Sequence, residues 1–194
     1  MPIFIIEHLE PRLSRWCLIE YRHISKIVGK RNLWFANMKL KKDREKLKRY
    51  GRAIKESVSK LNLKNSCVFD PDARKTLPPK EARKFRYFIF GGILGDYPAR
   101  KRTKKELTSH IKNAAKSIAA RNIGKKQFST DNAVYVVKQI AKGKNIKNLK
   151  FKDRIEIQKN KVESFILPYR YVMLNGKPLI SRELIKFLKK KKGF

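Results

Sequence analysis

Short runs of mainly β-branched and aromatic residues recur along this chain and are separated by segments with helical periodicity. The four clearest runs lie at residues 3–6, 33–36, 67–69 and 86–90. Strands that are apolar along most of their length are typical of a parallel sheet covered on both faces. Their alternation with helical segments predicts an α/β fold, with a largely parallel sheet and helices on both faces.

The helical segments carry apolar residues at spacings of three and four. Ser14 is placed to cap a helix that ends before Gly29, and residues 41–61 show the same periodicity. Further helices are predicted at 103–116, 130–142 and 181–191, and further strands at 117–122, 151–157 and 169–173. We expect one domain over residues 1–194, in which the basic helical segment 39–64 faces the substrate and residues 187–194 form a frayed tail.

The charge of the chain limits the class of partner. Fifty Lys and Arg residues oppose 16 Asp and Glu residues, which gives a net charge of +34. Basic surfaces bind polyanions by neutralising phosphates and releasing counterions. The basic residues concentrate at 39–52, 100–105 and 186–192, so RNA or a ribonucleoprotein is the favoured partner; adaptation to heat also produces lysine-rich surfaces.

The sequence favours neither a membrane span nor a metal site. Its apolar runs fall short of the roughly 20 residues that a span needs, and its first residues lack the basic start of a signal peptide. We therefore expect a cytoplasmic protein. Cys17 and Cys67 form no CxxC pair, and the three histidines do not cluster with them, so we expect no bound metal.

The run FGGILGDYP, which begins at Phe90, follows the fourth predicted strand. Ligands of parallel sheets bind beyond the carboxyl ends of the strands, and glycines there allow close approach of the backbone. Its GGxxG spacing differs from the dinucleotide fingerprint, and no GK[ST] follows it. A ligand-contacting loop and a plain turn with packing glycines both fit this pattern.

Several stretches together resemble one enzyme class. They are IIEHLE, FDPDA, FIFGGILGDYPARKRT, ARNIGKKQFSTDNAV and LPYRYV, and they follow one another over nearly the whole chain. In these stretches the chain resembles the SPOUT class of S-adenosylmethionine-dependent methyltransferases. Within that class it looks most like the branch that includes the eukaryotic enzyme methylating an arginine of a small-subunit ribosomal protein. It is more distantly similar to the tRNA purine-9 N1-methyltransferases.

This resemblance implies a C-terminal trefoil knot and S-adenosylmethionine as the cofactor, bound by three loops. The implied cofactor contacts are Phe90, Gly91, Gly92, Leu94 and Gly95 in the first loop, Asn122, Ile123, Gly124, Gln127 and Thr130 in the second, and Leu167, Pro168, Tyr169 and Arg170 in the third.

Asp96 ends the GGILGD run and lies where the tRNA enzymes carry an aspartate, so the resemblance makes it the candidate catalytic residue. It would orient the acceptor nitrogen or take its proton, although capping of the loop is an equal alternative. Asp70 and Glu7 are the reserve candidates. Arg100, Lys101 and Arg102 follow Asp96 closely and are the predicted substrate-binding residues.

Three functions stay open at this point. The first is methylation of an arginine in a ribosomal protein, on the protein itself or within an assembling ribosomal particle. The second is methylation of an RNA base, and the third is RNA binding without catalysis. The sequence leaves open whether the protein is a monomer or a dimer formed through its knot.

Overall fold

A computed structural model describes residues 1–95, 100, 102–114 and 118–190 of the chain, with the side chains of 112–114 left out. Its main sheet has six strands: β1 (Ile3–His8), β2 (Leu33–Ala36), β3 (Arg52–Ala53), β4 (Ser66–Phe69), β5 (Tyr87–Gly92) and β6 (Ala119–Arg121). Their order is β3-β2-β1-β5-β4-β6, and every neighbouring pair is parallel. The predicted α/β class with a largely parallel sheet is therefore confirmed.

Helices cover both faces of this sheet. They are α1 (Arg15–Val28), α2 (Lys41–Leu47), α3 (Pro79–Ala82), α4 (Ser109–Ala114), α5 (Thr130–Ala141) and α6 (Arg182–Lys190), and a π-helical turn at Lys104–Thr108 precedes α4. The α1 and α5 helices pack on the face that carries Phe4 and Phe88. The π-helical turn and α4 pack on the opposite face, where Leu107 and Ile111 meet Ile89.

The ends of α1 follow the capping rules. The Ser14 hydroxyl accepts a hydrogen bond from the Cys17 amide at 3.1 Å, as an N-cap residue does. Gly29 follows the last turn with a φ of 84°, a conformation that glycine adopts without a steric penalty. These two residues fix where the helix that borders the site begins and ends.

The predicted helix over residues 41–61 is wrong, because α2 ends at Leu47. Leu47 packs in the core on one face of the main sheet and Val58 packs on the other, so one straight helix cannot bury both. Between them Gly51 passes so close to β2 that a Cβ atom there would lie 2.6 Å from the Leu33 carbonyl oxygen. The chain then adds β3 to the edge of the sheet instead of continuing the helix.

A second, antiparallel sheet follows α5. It consists of β7 (Phe151–Gln158), β8 (Ser164–Leu174) and β9 (Lys177–Pro178). Ile19 of α1, Tyr171 of β8 and Leu184 of α6 share one apolar cluster, which fixes this sheet beside the first. The α6 helix continues to Lys190 and buries Leu188, so residues 187–190 do not form the predicted frayed tail, whereas 191–194 lie outside the described residues.

The third predicted loop is corrected by this sheet, because residues 167–170 lie within β8. Asp153 pairs with Arg170 and Ile155 pairs with Leu167, so two residues of β8 stand opposite Arg154 alone. Such a bulge tolerates Pro168, which has no amide hydrogen to donate to the ladder. Of the helices that the structure describes, none combines the length and apolar character needed to cross a membrane.

Gly92, at the end of β5, is required by the packing of the core. A Cβ atom there would overlap the Tyr21 hydroxyl oxygen and would lie 2.9 Å from Cγ2 of Ile6. That hydroxyl is held in place by a 2.8 Å hydrogen bond with Nδ1 of His8. The space beside Gly92 is therefore filled by protein and is not left for a ligand.

We expect Gly92→Ala to destabilise the protein by about 1–3 kcal/mol, because the added methyl group overpacks a filled core. Thermal unfolding without any ligand measures this loss. The double variant Gly92→Ala, Tyr21→Phe should recover part of it, since the overlapping oxygen is gone, and Tyr21→Phe alone is the control. An unchanged melting temperature for Gly92→Ala would contradict the packing argument.

Candidate functional site

A cleft opens beyond the carboxyl ends of β4, β5 and β6, where ligands of parallel sheets bind. It encloses about 620 Å³, counted out to its open mouth. Its lining consists of Phe69, Asp70 and Pro71 after β4, Phe90, Gly91 and Ile93 around the end of β5, Thr103, and Ile123, Gly124, Lys126, Gln127, Phe128, Thr130 and Ala133 between β6 and the first turns of α5. The walls are mainly apolar, and polar groups lie at the rim.

A smaller pocket adjoins this cleft and shares Ile93, Gln127, Phe128 and Thr130 with it. Its other lining residues are Trp16, Glu20, Leu94, Gly95, Ser129 and Tyr169. We call it the Glu20 pocket, because Glu20 is its buried carboxylate. It lies where α1, the end of β5 and β8 meet.

The structure brings together nine of the residues predicted to contact the cofactor. Phe90, Gly91, Ile123, Gly124, Gln127 and Thr130 line the cleft, and Leu94, Gly95 and Tyr169 line the Glu20 pocket. Gly92, Asn122, Leu167, Pro168 and Arg170 do not line either space, so a contact with a ligand there is not supported for them.

Gly95 is a point of close backbone approach. The Tyr169 hydroxyl donates to its carbonyl oxygen at 2.8 Å, and a Cβ atom on Gly95 would lie 2.5 Å from the Tyr169 ring and would overlap Gln127. These contacts join the segment after β5 to β8 and fix one wall of the Glu20 pocket. Only glycine fits at this position.

Asn122 positions the second segment from behind the cleft. Its amide group donates to the Ala73 carbonyl at 2.7 Å, and its side-chain oxygen accepts from the Thr76 hydroxyl and from the Gly124 amide. Gly124 has a φ of +103°, which favours glycine. Asn122 therefore holds the turn that carries Ile123 and Gly124 into the cleft.

Arg170 also acts from outside the cleft. Its guanidinium forms an ion pair with Asp153 at 2.7 Å and lies over the rings of Phe128 and Phe151. This stacking fixes Phe128, which lines both the cleft and the Glu20 pocket. Leu167 packs in the apolar cluster between α1 and the antiparallel sheet, and Pro168 lies at the bulge of β8.

The predicted substrate-binding role of Arg102 is corrected by its ion pairs. Its guanidinium donates to Glu10 at 2.9 Å and to Glu106 at 2.8 and 3.1 Å, so two carboxylates already neutralise it. Glu10 also accepts from the Leu94 amide at 3.0 Å. Arg102 thus braces the segment after β5, whereas Arg100 is exposed.

The candidate catalytic residue Asp96 lies outside the described residues, as does Lys101, and their roles remain predictions. The reserve candidates are placed. Asp70 lines the cleft, is buried, and accepts from the Asp72 amide at 2.9 Å, which is an Asx-turn geometry. Glu7 is buried on the other face of the sheet, where it accepts from the Val58 amide.

Glu20 is the site residue that our sequence analysis missed. It is 7% exposed, and burial raises its pKa well above the usual range, with a further contribution from the nearby charge of Asp131. Hydrogen bonds from the Trp16 side chain and from the Thr130 amide oppose this rise. A signal was present in the sequence: Glu20 is an acid on the stripe of α1 that also carries Cys17, Ile24 and Val28.

The described residues hold no group of three or more His, Cys, Asp or Glu side chains suited to a metal ion. Both cysteines are buried and free. Burial raises the pKa of Cys17 to about 11 and that of Cys67 to about 12, so both stay protonated and unreactive at neutral pH.

Comparison with known proteins identifies the family. A family model for protein arginine N-methyltransferase SFM1-like proteins matches residues 3–193. The protein arginine N-methyltransferase SFM1 of Saccharomyces cerevisiae is 35% identical to this chain over 204 residues, which cover 96% of this chain and 94% of the yeast protein.

Solved structures agree. The yeast arginine methyltransferase SFM1 complexed with SAH is 33% identical, with a TM-score of 0.84 over 96% of this chain and 94% of the yeast chain. The same enzyme complexed with SAM is 34% identical, with a TM-score of 0.85 over 97% and 90% of the two chains.

A more distant structure supports the fold alone. The dual specific Trm10 of Thermococcus kodakaraensis is 19% identical, with a TM-score of 0.58 over 75% of this chain and 95% of that chain. The resemblance to SPOUT methyltransferases, and to the arginine-modifying branch in particular, is therefore confirmed. With a family match over almost its whole length and a relative of similar length at 35% identity, this chain belongs to the SFM1-like family of protein arginine N-methyltransferases.

Proposed function

We propose that this protein is an S-adenosylmethionine-dependent methyltransferase whose acceptor is an arginine of a small-subunit ribosomal protein. One observation carries the proposal: most of the predicted cofactor residues meet at a single cleft and its side pocket, in a chain that matches yeast SFM1 in complex with SAM along nearly its whole length. The ribosomal acceptor rests on the sequence resemblance and on the basic surface.

The residues of the cleft suit a nucleoside with a charged tail. Phe69, Phe90 and Ile123 offer apolar walls for a planar base. Gly124 leaves its side of the cleft open, because the nearest atom to a Cβ there would be 3.8 Å away, on Arg170. The Thr130 side chain and the backbone beside Gly91 supply the polar contacts of the lining. When bound, S-adenosylmethionine would supply an electrophilic methyl group on a sulfonium.

An arginine acceptor makes a specific demand on the protein. The guanidinium is a cation at neutral pH, and the nitrogen that gains the methyl group must lose one proton, so the product is again a cation. Carboxylates near the reacting nitrogen hold the cation and accept or pass on that proton. Glu20 and Asp70 are the buried carboxylates that line the described part of the site, and Asp96 is the predicted third.

The charge of the chain supports a substrate that is already associated with RNA. At +34 the enzyme should repel a free basic protein, whereas a ribosomal protein docked on RNA presents both an arginine and phosphates. Exposed basic residues of α2 and the segment after it, such as Lys41, Lys42 and Arg49, are available to bind phosphates. The same charge supports methylation of an RNA base as the second candidate function.

Transfer of labelled methyl groups from S-adenosylmethionine decides between the two acceptors. We expect label on arginine of a small-subunit ribosomal protein when the enzyme meets incomplete ribosomal particles, and much less label on the isolated protein. Nuclease digestion and amino-acid analysis locate the label. Label on a base would establish the second function, and no transfer to protein or RNA would contradict the proposal.

Salt dependence tests the role of the basic surface. Replacing Lys41, Lys42 and Arg49 together with Gln should make the affinity for RNA-containing particles less dependent on salt, by roughly 0.7–0.9 of a logarithmic unit of slope for each phosphate that the variant no longer neutralises. Filter binding at several salt concentrations gives this slope.

Arg102→Gln is the matched control, because this guanidinium is occupied by Glu10 and Glu106. It should leave the slope unchanged and lower the free energy of unfolding by about 1 kcal/mol, as expected for a partly exposed ion pair. A slope that changes with Arg102 and not with the three exposed residues would contradict this assignment.

A further inference from the structure

We infer that Glu20 binds the guanidinium of the acceptor arginine and is the substrate-binding carboxylate of this enzyme. The inference rests on the proposed function and deepens it, because it names the side chain that recognises the acceptor. It comes from the position of Glu20, from the lack of a cationic partner among the described residues, and from the chemistry of the Glu20 pocket.

The position of Glu20 suits a substrate contact. It projects from α1 into the pocket that adjoins the cleft, and the two spaces share Ile93 and Gln127 as a common boundary. A group bound against Glu20 therefore lies next to a ligand in the cleft. Gly95, which precedes the predicted catalytic Asp96, forms part of the same pocket wall.

Glu20 is unusual among the acids of this chain, because the described residues give it no ion pair. Most other acids near the surface are neutralised: Arg102 pairs with Glu10 and Glu106, Arg121 with Glu81, and Lys126 and Arg170 with Asp153. In a protein with 50 basic residues, a buried carboxylate that no described Lys or Arg reaches is a site that a cation from outside can occupy.

The pocket offers the acceptor atoms that a guanidinium needs. A carboxylate has about four lone-pair positions, so the contacts from Trp16 and from the Thr130 amide leave positions free. Guanidinium and carboxylate pair in a planar, often bidentate arrangement that also sets the orientation. Trp16 and Tyr169 line the same pocket and provide aromatic surface on which a guanidinium can stack.

A buried acid of this kind is expected to cost the empty enzyme stability. Its pKa is raised, so the folded protein resists ionisation of Glu20 while the unfolded chain ionises it freely, and stability falls as the pH rises above the ordinary value of 4.5. The ionisable groups around it are Cys17 and Tyr21 on α1, Asp131 on α5, which pairs with His23, and Tyr171 on β8. These groups remain in the variants below.

The test compares Glu20→Gln with the wild type, using small ribosomal subunits isolated from cells that lack the enzyme as the acceptor. We expect kcat/KM for the acceptor to fall at least about 100-fold, because the amide keeps the shape and loses the charge. The affinity for S-adenosylhomocysteine, measured by calorimetry, should stay within about twofold. Glu20→Asp, which keeps the charge on a shorter arm, should retain more activity than Glu20→Gln.

Stability gives a readout that separates binding from folding. At pH 8 the melting temperature of Glu20→Gln should exceed that of the wild type by roughly 2–4 °C, and the difference should shrink as the pH approaches 4.5. Gain of stability with loss of acceptor binding is the pattern of a functional carboxylate. A less stable Glu20→Gln with reduced binding of S-adenosylhomocysteine would assign Glu20 to the structure and overturn the inference.

Glu7→Gln is the matched control. Glu7 is also buried and its pKa is also raised by burial, yet it lies on the other face of the main sheet. Transfer by this variant should stay within a few-fold of the wild type, and an equal loss in both variants would overturn the inference.

The outcomes also separate this inference from the proposed function. If the wild type binds no S-adenosylhomocysteine or labels no arginine, the proposed function fails. If the wild type methylates arginine and Glu20→Gln does so equally well, the proposed function stands and the role of Glu20 is refuted.

Discussion

The site depends on how the antiparallel sheet is fixed to the open end of the parallel sheet. Asn132 of α5, which has no exposed surface, makes the central connection: its side-chain oxygen accepts from the Val172 amide of β8, and its amide group donates to the Leu179 carbonyl. The Arg170 amide adds a bond to the Gln127 carbonyl. Without these bonds neither the cleft nor the Glu20 pocket would have its outer wall.

Electrostatics divides the molecule into a basic exterior and an interior that holds a few acids. Glu7, Glu20 and Asp70 are all buried near the carboxyl ends of the central strands or beside them. Buried acids lower stability unless something compensates for lost hydration. Glu7 receives hydrogen bonds from Ser57 and Val58, and Asp70 receives one from the Asp72 amide, so both have local partners. Glu20 differs because its pocket adjoins the cleft.

Much of the fold could be predicted from the sequence, because local signals and packing agree. The apolar strands, the Ser14 cap and the stripe of α5 each indicate one structure and give it. The segment after α2 could not be predicted in the same way, because its apolar spacing is helical while its residues pack on opposite faces of the sheet. Only the close passage of Gly51 beside β2, a tertiary contact, decides the outcome.

The site was predicted to a similar extent. The resemblance identified the segments around Gly91 and Gly124, which line the cleft, but it could not distinguish residues that touch the cleft from residues that brace it, such as Asn122 and Arg170. Glu20 was missed because helical periodicity treats every position on a buried stripe as core. A charged residue on such a stripe is a signal that periodicity alone does not register.

One carboxylate holds both ends of the segment that contains the predicted catalytic residue. Glu10 accepts from the Leu94 amide and from the Arg102 guanidinium, so it closes the chain between these two residues into a short loop. Closing a loop at its base removes much of the conformational entropy of the residues inside it. Glu10 therefore acts at a distance on the residues between Leu94 and Arg102. A screen for loss of activity would report Glu10 beside the chemical groups, although its role is to reduce the number of conformations that the loop can adopt.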